Sequence, residues 1–405
     1  MSISEAALSA PPASLPVAKT REVAFDYLRA TLTLMVVAHH SSLAYTTFAR
    51  FDKAHYLLST APVVDSTRWL FLDYAENFND VFFMSLMFFI SGLFVWPAFK
   101  RSGAADFLRR RALRLGVPFL LIWALVMPLA YYASWQMTGQ DAGYWDYWWD
   151  NVAADQLPSG PLWFVWLLLF FDILAAGVFV ALPRRSSTEG ASQAWSRDHP
   201  IILATVMFLI CALVYLPLLK AFGFGAWETF LVRPLVFQLS RIGLYLAWFA
   251  AGIWVGRNGV DDGLLAADGA LARRWRWWCR FCFLAYNALV FVPRVPALTA
   301  GLSADQSGAL EAILWTLSCV ASSFAFLALF RGVVRTRRPW MDSLSRSAYA
   351  IYLVHYVFVV WVQRALLGLD LHAGVKFLVT FVVATGLSWL TARLLLTVPG
   401  LRRIL

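Results

Sequence analysis

Charged residues are scarce in this sequence. Only 14% of its 405 residues are charged, whereas 60% are hydrophobic. Soluble domains carry about a quarter charged residues, so the composition excludes a soluble protein and predicts an integral membrane protein. The net charge of +10 does not indicate a nucleic-acid partner, because the Arg and Lys residues cluster in short segments between apolar runs.

Cysteine is also rare, and none of it is placed to bind a metal ion. The four cysteines, Cys211, Cys279, Cys282 and Cys319, all lie in apolar runs. Cys279 and Cys282 have the spacing of a redox or metal pair, but no second pair and no nearby histidine completes a site. We therefore predict no metal and no bound cofactor, and we interpret the cysteines as small packing residues.

The N-terminal segment lacks the features of a secretory signal. Residues 1–22 are rich in Ala, Ser and Pro, and no short apolar core is followed there by a small-residue cleavage site. We predict a flexible cytoplasmic tail over 1–22 and a single membrane domain over 23–400.

Long apolar runs fill the remainder of the chain and predict an all-α polytopic membrane helix bundle. The basic residues concentrate in the loops on the N-terminal side, whereas the opposite loops carry only Arg50, Lys53 and Arg68. The positive-inside rule then places both termini in the cytoplasm. Ten membrane helices are predicted, at about 24–45, 80–99, 115–135, 161–182, 200–220, 229–256, 275–296, 305–331, 344–367 and 374–398.

The first predicted helix carries Asp26, Arg29, His39 and His40, although ionisable groups in a membrane helix are costly and usually mark a functional site. Arg29 and His40 are eleven residues apart, which places them on one helical face but separates them by roughly 16 Å. Asp26 can pair with Arg29 but cannot reach His40. His39 points about 100° away and is interpreted as a bystander.

This polar face favours a functional path across the membrane, with Arg29 near the cytoplasmic end and His40 near the outer end. The alternative is a set of structural polar groups inside a helix bundle. Deeper in the membrane, Asp172 and Arg241 either pair with each other or line the path. In a later helix, Tyr352 and His355 are three residues apart at mid-depth and are predicted to border a polar cavity.

Two loops have compositions that suggest ligands. The outer loop 136–158 contains no Lys or Arg, and its Trp145, Trp148 and Trp149 lie among aspartates. Tryptophan rings beside carboxylates suit a carbohydrate, but an interfacial aromatic belt explains them equally well. On the inner side, the basic Arg110, Arg111 and Arg114 can hold donor phosphates. Taken alone, they are better explained as a topology determinant that touches anionic lipid.

Five motifs, in order, resemble those of the membrane acyltransferase-3 family. Within that family the chain is most similar to the branch that transfers succinyl groups to osmoregulated periplasmic glucans. The motifs are Asp26-x2-Arg29-x10-His40, the run FFISGLF at 88–94, Arg111-Ala-Leu-Arg114, Leu162-Trp163-Phe164, and the segment AYAIYLVH at 348–355, in which Tyr349 and Tyr352-Leu353 precede His355.

The resemblance implies an O-acyltransferase of the bacterial inner membrane. It would move an acetyl or succinyl group from a cytoplasmic acyl-CoA to a hydroxyl group of an extracytoplasmic glycan. His40 would be the general base, Arg29 would hold the donor with the help of Asp26, and Arg110, Arg111 and Arg114 would bind the donor phosphates.

The remaining cavity residues also receive roles from the resemblance. Tyr352 and His355 would donate hydrogen bonds to the reacting carbonyl oxygen, and Arg241 would serve as the cation that a succinyl group requires. A different functional class also remains open for this protein, namely a transporter or flippase for a lipid-linked or anionic solute. Ten helices with buried Arg, Asp and His are compatible with it.

Overall fold

The computed structural model describes residues 23–181, 189–257, 259–261 and 263–405. The predicted tail over 1–22 lies outside the described residues. The described chain is a bundle of α-helices with one short β-hairpin, which confirms the all-α membrane architecture. Seven helical stretches in these ranges are long and apolar enough to cross a membrane, so the protein is a multi-pass membrane protein.

Most of the helices are joined by short connections, but long segments separate α1 from α2 and α9 from α10. Two π-helical turns, Ala112–Gly116 and Ile122–Val126, join three of them into one continuous stretch, Val95–Gln136. The helices in the described ranges are α1 (Val23–Leu43), α2 (Leu70–Leu93), α3 (Val95–Arg111), α4 (Val117–Leu121), α5 (Met127–Gln136), α6 (Tyr144–Ala153), α7 (Trp163–Ala181), α8 (Glu189–Asp198), α9 (Pro200–Phe222), α10 (Ile242–Gly256), α11 (Ala270–Arg273), α12 (Trp275–Phe291), α13 (Pro296–Thr299), α14 (Ala304–Val333), α15 (Pro339–Leu366) and α16 (Ala373–Leu395).

Two predicted helix boundaries were wrong. Helix α2 begins at Leu70, ten residues before the predicted start at 80, because its acidic first turns lower the hydropathy on which the prediction relied. The segment predicted as a helix from 229 instead forms the antiparallel strands β1 (Trp227–Thr229) and β2 (Val236–Gln238). Pro234 lies between the strands, and a proline inside a helix removes a backbone hydrogen bond and breaks it.

Helices α2 and α10 are in backbone contact through glycines. A Cβ on Gly252 would clash with the carbonyl oxygen of Phe89, and a Cβ on Gly256 would clash with that of Leu93. Gly92 of α2 faces the same contact, beside the carbonyl oxygen of Phe249. Small residues at this spacing permit the close approach of two membrane helices, and here they bring the C-terminal ends of α2 and α10 together.

Helix α1 lies inside the bundle and contacts α2, α14, α15 and α16. The loop that follows it is tied down by a buried ion pair in which Lys376 Nζ of α16 lies 2.7 Å from Asp65 Oδ2. The same loop therefore joins the C-terminal end of α1 to the first turn of α16, which fixes the position of the residues at the end of α1.

Candidate functional site

The site is built around His40, in the last turn of α1. Its ring lies 5.4 Å from the ring of His355 and 4.9 Å from that of Tyr356, measured between centroids. The ring is only half-buried, although all of its neighbours belong to the interior of the bundle. Its buried Nδ1 has no hydrogen-bond partner in the described part of the chain.

His355, on α15, approaches His40 in a defined tautomer. Its Nδ1 lies 2.6 Å from the backbone carbonyl oxygen of Tyr352, and a carbonyl oxygen only accepts hydrogen bonds, so Nδ1 carries the proton. The buried Nε2 then holds a lone pair, and it has no partner among the described residues. A neutral His355 therefore accepts a proton at Nε2, and the hydrogen-bond donation expected from the sequence requires the imidazolium form.

Tyr352 borders the same region but its hydroxyl group is already engaged. The hydroxyl donates to the carbonyl oxygen of Pro161, and the ring packs against Phe164 at a centroid distance of 5.9 Å. One turn earlier, the Tyr349 hydroxyl donates to the carbonyl oxygen of Arg114 at 2.7 Å. Both tyrosines thus attach α15 to neighbouring backbone, which differs from the role expected for Tyr352.

Gly160 lies beside Tyr356, whose ring packs on His40, and the sequence predicted no role for this glycine. Gly160 has a φ of +49°, and a Cβ there would meet Met127 Sδ at 3.0 Å and the Tyr356 ring at 3.4 Å. Just beyond it, the ring of Trp163 packs between those of Tyr245 and Trp227, at 5.4 and 5.8 Å. The sequence signal was present in the run GPLWF, where glycine precedes proline and the aromatic pair.

His39, interpreted from the sequence as a bystander, contacts the acidic part of α2. Its Nδ1 lies 3.4 Å from Glu76 Oε1 of α2, and its ring packs on Phe83 at a centroid distance of 5.2 Å. The two histidine rings themselves meet at 5.1 Å. The contacts of His39 with Glu76 and Phe83 show that α2 covers this side of α1.

Asp172 and Arg241 do not pair with each other, which rules out one of the two alternatives left open by the sequence. Arg241 forms a two-pronged ion pair with Asp80 of α2, with N–O distances of 2.9 and 2.5 Å. Asp172 of α7 instead lies 3.0 Å from the Nε of Arg111. Each charge is thus neutralised by a partner on a different helix, at opposite ends of the bundle.

The N-terminal part of α1 contains the Asp26–Arg29 ion pair that the sequence predicted. Asp26 Oδ1 lies 2.5 Å from the Arg29 guanidinium, whose side chain is 41% exposed and also faces the Phe94 ring, 5.9 Å from its centroid. Helix α1 is continuous from Val23 to Leu43, so the separation of roughly 16 Å between Arg29 and His40 follows from the helical rise. Arg29 lies near the start of this interior helix and His40 lies in its last turn.

The three predicted donor-binding arginines have different surroundings. Arg111 is partly buried and paired with Asp172, as described above. Arg110 is exposed, donates to the Ser102 hydroxyl and lies 4.0 Å from Asp106. Arg114 donates to the carbonyl oxygen of Leu405 at 3.4 Å. The carboxylate beside Arg111 is thus buried, whereas Asp106 beside Arg110 is exposed.

The outer segment 136–158 is not entirely a loop, because Tyr144–Ala153 form α6. Its inward face buries Tyr147 and Asn151, and the Trp148 indole donates to the Ala124 carbonyl oxygen at 2.8 Å. Its outward face presents Trp145 and Trp149, which are 72% and 63% exposed. The helix thus divides the tryptophans into one structural residue and an exposed pair.

Comparison with known proteins gives a match to one family model and to relatives that align with part of the chain. The model of the acyltransferase-3 family, described as an acyltransferase domain, matches residues 22–393. Glucans biosynthesis protein C of Salmonella typhi is 30% identical over 173 residues, 42% of this chain and 42% of that protein. The protein of the same name from Shigella dysenteriae is 27% identical over 205 residues, 49% of each chain. The similarity therefore spans about half the length of these curated relatives.

Proposed function

Because the chain belongs to the acyltransferase-3 family and is thus an acyltransferase, we propose that it transfers an acyl group from cytoplasmic acyl-CoA to a hydroxyl group of an extracytoplasmic glycan. One observation carries the proposal: the His40 ring lies inside the bundle beside His355 and Tyr356, on the same helix that holds Arg29 at its other end. The names of the relatives, which refer to glucan biosynthesis, support a glycan acceptor.

The proposal includes a topology. Besides the seven apolar stretches, we assign α1, α2 and α12 as membrane-crossing helices, which makes ten. Helices α1 and α2 are less apolar than the seven stretches because they carry interior polar residues, and α12 is shorter, with 17 residues. An even number places both termini on the same side, and the basic loops make that side the cytoplasm of a bacterial inner membrane.

In the reaction, the acceptor hydroxyl oxygen attacks the carbonyl carbon of the thioester. The new carbon–oxygen bond forms as the carbon–sulfur bond breaks, and the acyl group leaves CoA for the acceptor. His40 takes the hydroxyl proton and returns it to the departing thiolate, so that protons balance without a cofactor. A neutral imidazole near the outer end suits this role because its ordinary pKa lies close to physiological pH.

The donor enters from the inner face. Arg29 and the exposed Arg110 and Arg114 offer cations to the phosphates of CoA, while Arg111 is held by Asp172 and would chiefly shape the entrance. The extended pantetheine arm has a reach comparable to the length of α1 between Arg29 and His40. The nucleotide can therefore stay in the cytoplasm while the thioester arrives beside His40.

The acceptor would approach from the outer face. The exposed Trp145 and Trp149 of α6 lie among the carboxylates of Asp146 and Asp150, and such a surface can stack sugar rings and bond their hydroxyl groups. An interfacial aromatic belt in contact with membrane lipid is the other explanation of this surface. Acceptor binding to Trp145→Ala and Trp149→Ala variants distinguishes the two.

The test uses the purified full chain in proteoliposomes, with acyl-CoA on the Arg29 side and an oligoglucan on the other. We expect free thiol and acylated glycan to appear together, the latter detected by mass spectrometry, and both to fall on the order of 10²-fold or more in His40→Ala. His55→Ala is the matched control, since His55 is an exposed loop residue. Solute uptake without thiol release would instead support a transporter.

A further inference from the structure

Asp172 places an acid in the middle of a membrane helix. It lies halfway along the 19 residues of α7, and its side chain is fully buried. Its Oδ2 lies 3.0 Å from the Nε of Arg111, so Arg111 compensates the buried charge. An uncompensated acid is costly in such a place, and an ionisable group inside a membrane span usually marks a functional site. The pair is therefore a candidate for a role besides that of the α1 histidines.

The contact with Asp172 engages Arg111 through Nε rather than through its terminal nitrogens. A guanidinium group is a planar fork with N–H groups on Nε and on both terminal nitrogens. It also lies 5.2 Å from the centroid of the Phe107 ring, so the carboxylate and the ring constrain it from two directions. The Arg111 side chain keeps an exposed fraction of 24%, whereas that of Asp172 is 0%. The exposed part of the pair thus belongs to Arg111.

Arg111 lies between α7 and the helix that carries His355. Tyr349 of α15 interacts electrostatically with Arg111 and with Arg114, and its hydroxyl donates to the Arg114 carbonyl oxygen at 2.7 Å. Tyr349 precedes His355 by six residues, which is roughly 9 Å along the helix. Arg111 is therefore beside the part of α15 that leads from the proposed donor entrance to His355.

We propose that Asp172 is a positioning residue that holds Arg111 so that its terminal nitrogens bind a phosphate group of the acyl donor. The inference rests on the proposed function and goes further, since Arg111 then binds the donor besides shaping its entrance. A planar fork matches two phosphate oxygens only in the correct orientation, and the buried carboxylate supplies that orientation. Asp172 itself touches neither the donor nor the reacting atoms.

A positioning role and a purely neutralising role predict opposite effects of Asp172→Asn. A carboxylate that only cancels the charge of Arg111 weakens its attraction for an anion, so its removal would tighten the binding of CoA. A carboxylate that orients the fork has the opposite effect, because without it the long side chain must be ordered when the ligand binds. The affinity of Asp172→Asn for CoA therefore distinguishes the two roles.

The first experiment measures the binding of CoA to the purified full chain by isothermal titration calorimetry. We expect Asp172→Asn to raise the Kd severalfold, with a melting temperature close to that of the natural chain. Asp106→Asn is the matched control and should leave the Kd unchanged, because Asp106 is an exposed acid 4.0 Å from Arg110. An unchanged or lower Kd in Asp172→Asn would overturn the inference alone. A natural chain that binds no CoA would overturn the donor of the proposed function as well.

Turnover and a conservative variant exclude a merely structural role. With acetyl-CoA as donor, or succinyl-CoA if acetyl-CoA is not accepted, Asp172→Asn should raise the KM for the donor and leave kcat and the KM for an oligoglucan unchanged. Arg111→Lys keeps a cation beside the buried carboxylate but replaces the fork by a point charge, so it should raise the same KM. The double variant should show no larger rise than Arg111→Lys alone, because both changes remove one interaction. Additive losses, or a loss confined to kcat, would contradict the assignment.

Discussion

The side chain of Gln363 in α15 donates hydrogen bonds to the backbone carbonyl oxygens of His40 and Ser41, at 2.9 and 3.2 Å. The last four carbonyl groups of a helix have no partner within the helix, and α1 ends at Leu43. Gln363 therefore satisfies two groups that would otherwise be unpaired, and it fixes the end of α1 that carries His40 against the helix that carries His355.

Gln363→Leu should therefore weaken both stability and turnover. Leaving a buried carbonyl group unpaired costs about 1–3 kcal/mol, and the end of α1 would gain freedom to move His40. We expect a lower melting temperature and a severalfold lower rate of thiol release. Gln140→Leu, on the exposed outer loop, is the control. A variant with unchanged turnover would show that Gln363 does not position the imidazole.

His355→Phe keeps the aromatic volume but removes the lone pair at Nε2. If His355 exchanges protons beside His40, the rate of thiol release should fall on the order of 10²-fold, while circular dichroism and the melting temperature stay close to those of the natural chain. His199→Phe is the control, because His199 is exposed and stacks on Trp195. Full activity of His355→Phe would show that His355 contributes only packing.

Gly160→Ala tests the wall that faces Tyr356. An alanine at a φ of +49° costs about 1–2 kcal/mol in backbone strain, and its Cβ would press on Met127 at 3.0 Å. We expect a lower melting temperature and reduced acyl transfer. Gly177→Ala lies further along the same stretch and would meet no atom within 4 Å, so it should be neutral. Equal stability of the two variants would show that the close approach is relaxed in the membrane.

Lys376→Met tests the buried ion pair behind the outer loop. Removing one partner leaves Asp65 buried and uncompensated, which costs about 3–5 kcal/mol. The double variant Asp65→Asn, Lys376→Met should recover part of that loss. Chemical denaturation in detergent measures the three free energies of unfolding, and a double variant no more stable than Lys376→Met would contradict this account.

The same pair predicts how stability depends on pH. Burial by itself would raise the pKa of Asp65, but the hydrogen bond from Lys376 and that from the Thr67 N–H lower it overall. A folded pKa below the unfolded value of about 3.9 gives stability that is present above the unfolded pKa and is lost as pH falls through the folded one. The melting temperature should therefore decrease as the pH is lowered below about 4, and this decrease should be smaller in Asp65→Asn.

The sequence predicted relationships within a helix better than those between helices. Asp26 pairs with Arg29 as expected, because helical spacing alone decides which residues share a face. The partners of His39, Arg241 and Asp172 were missed, since they depend on which neighbouring helix covers each face. That neighbour is set by packing, for example by the backbone contact between α2 and α10 at Gly252.

Apolar composition was equally unable to distinguish the hairpin from a helix. Residues 229–238 are as hydrophobic as a membrane helix, yet they form part of the β-hairpin, and the Trp166 indole donates to the Val236 carbonyl oxygen at 2.7 Å. Recognising such a segment requires knowledge of its surroundings, which hydropathy does not contain.

The enclosure of α1 has a consequence for how the protein is made. The ribosome delivers His40 among the first residues, but α15 and α16, which cover it, come from the last quarter of the chain. A chain halted before residue 339 would carry the imidazole without His355, Tyr356 or Gln363. Unfinished copies would therefore lack the part of the candidate site that α15 contributes, and the site is complete only after the final helices have been synthesised.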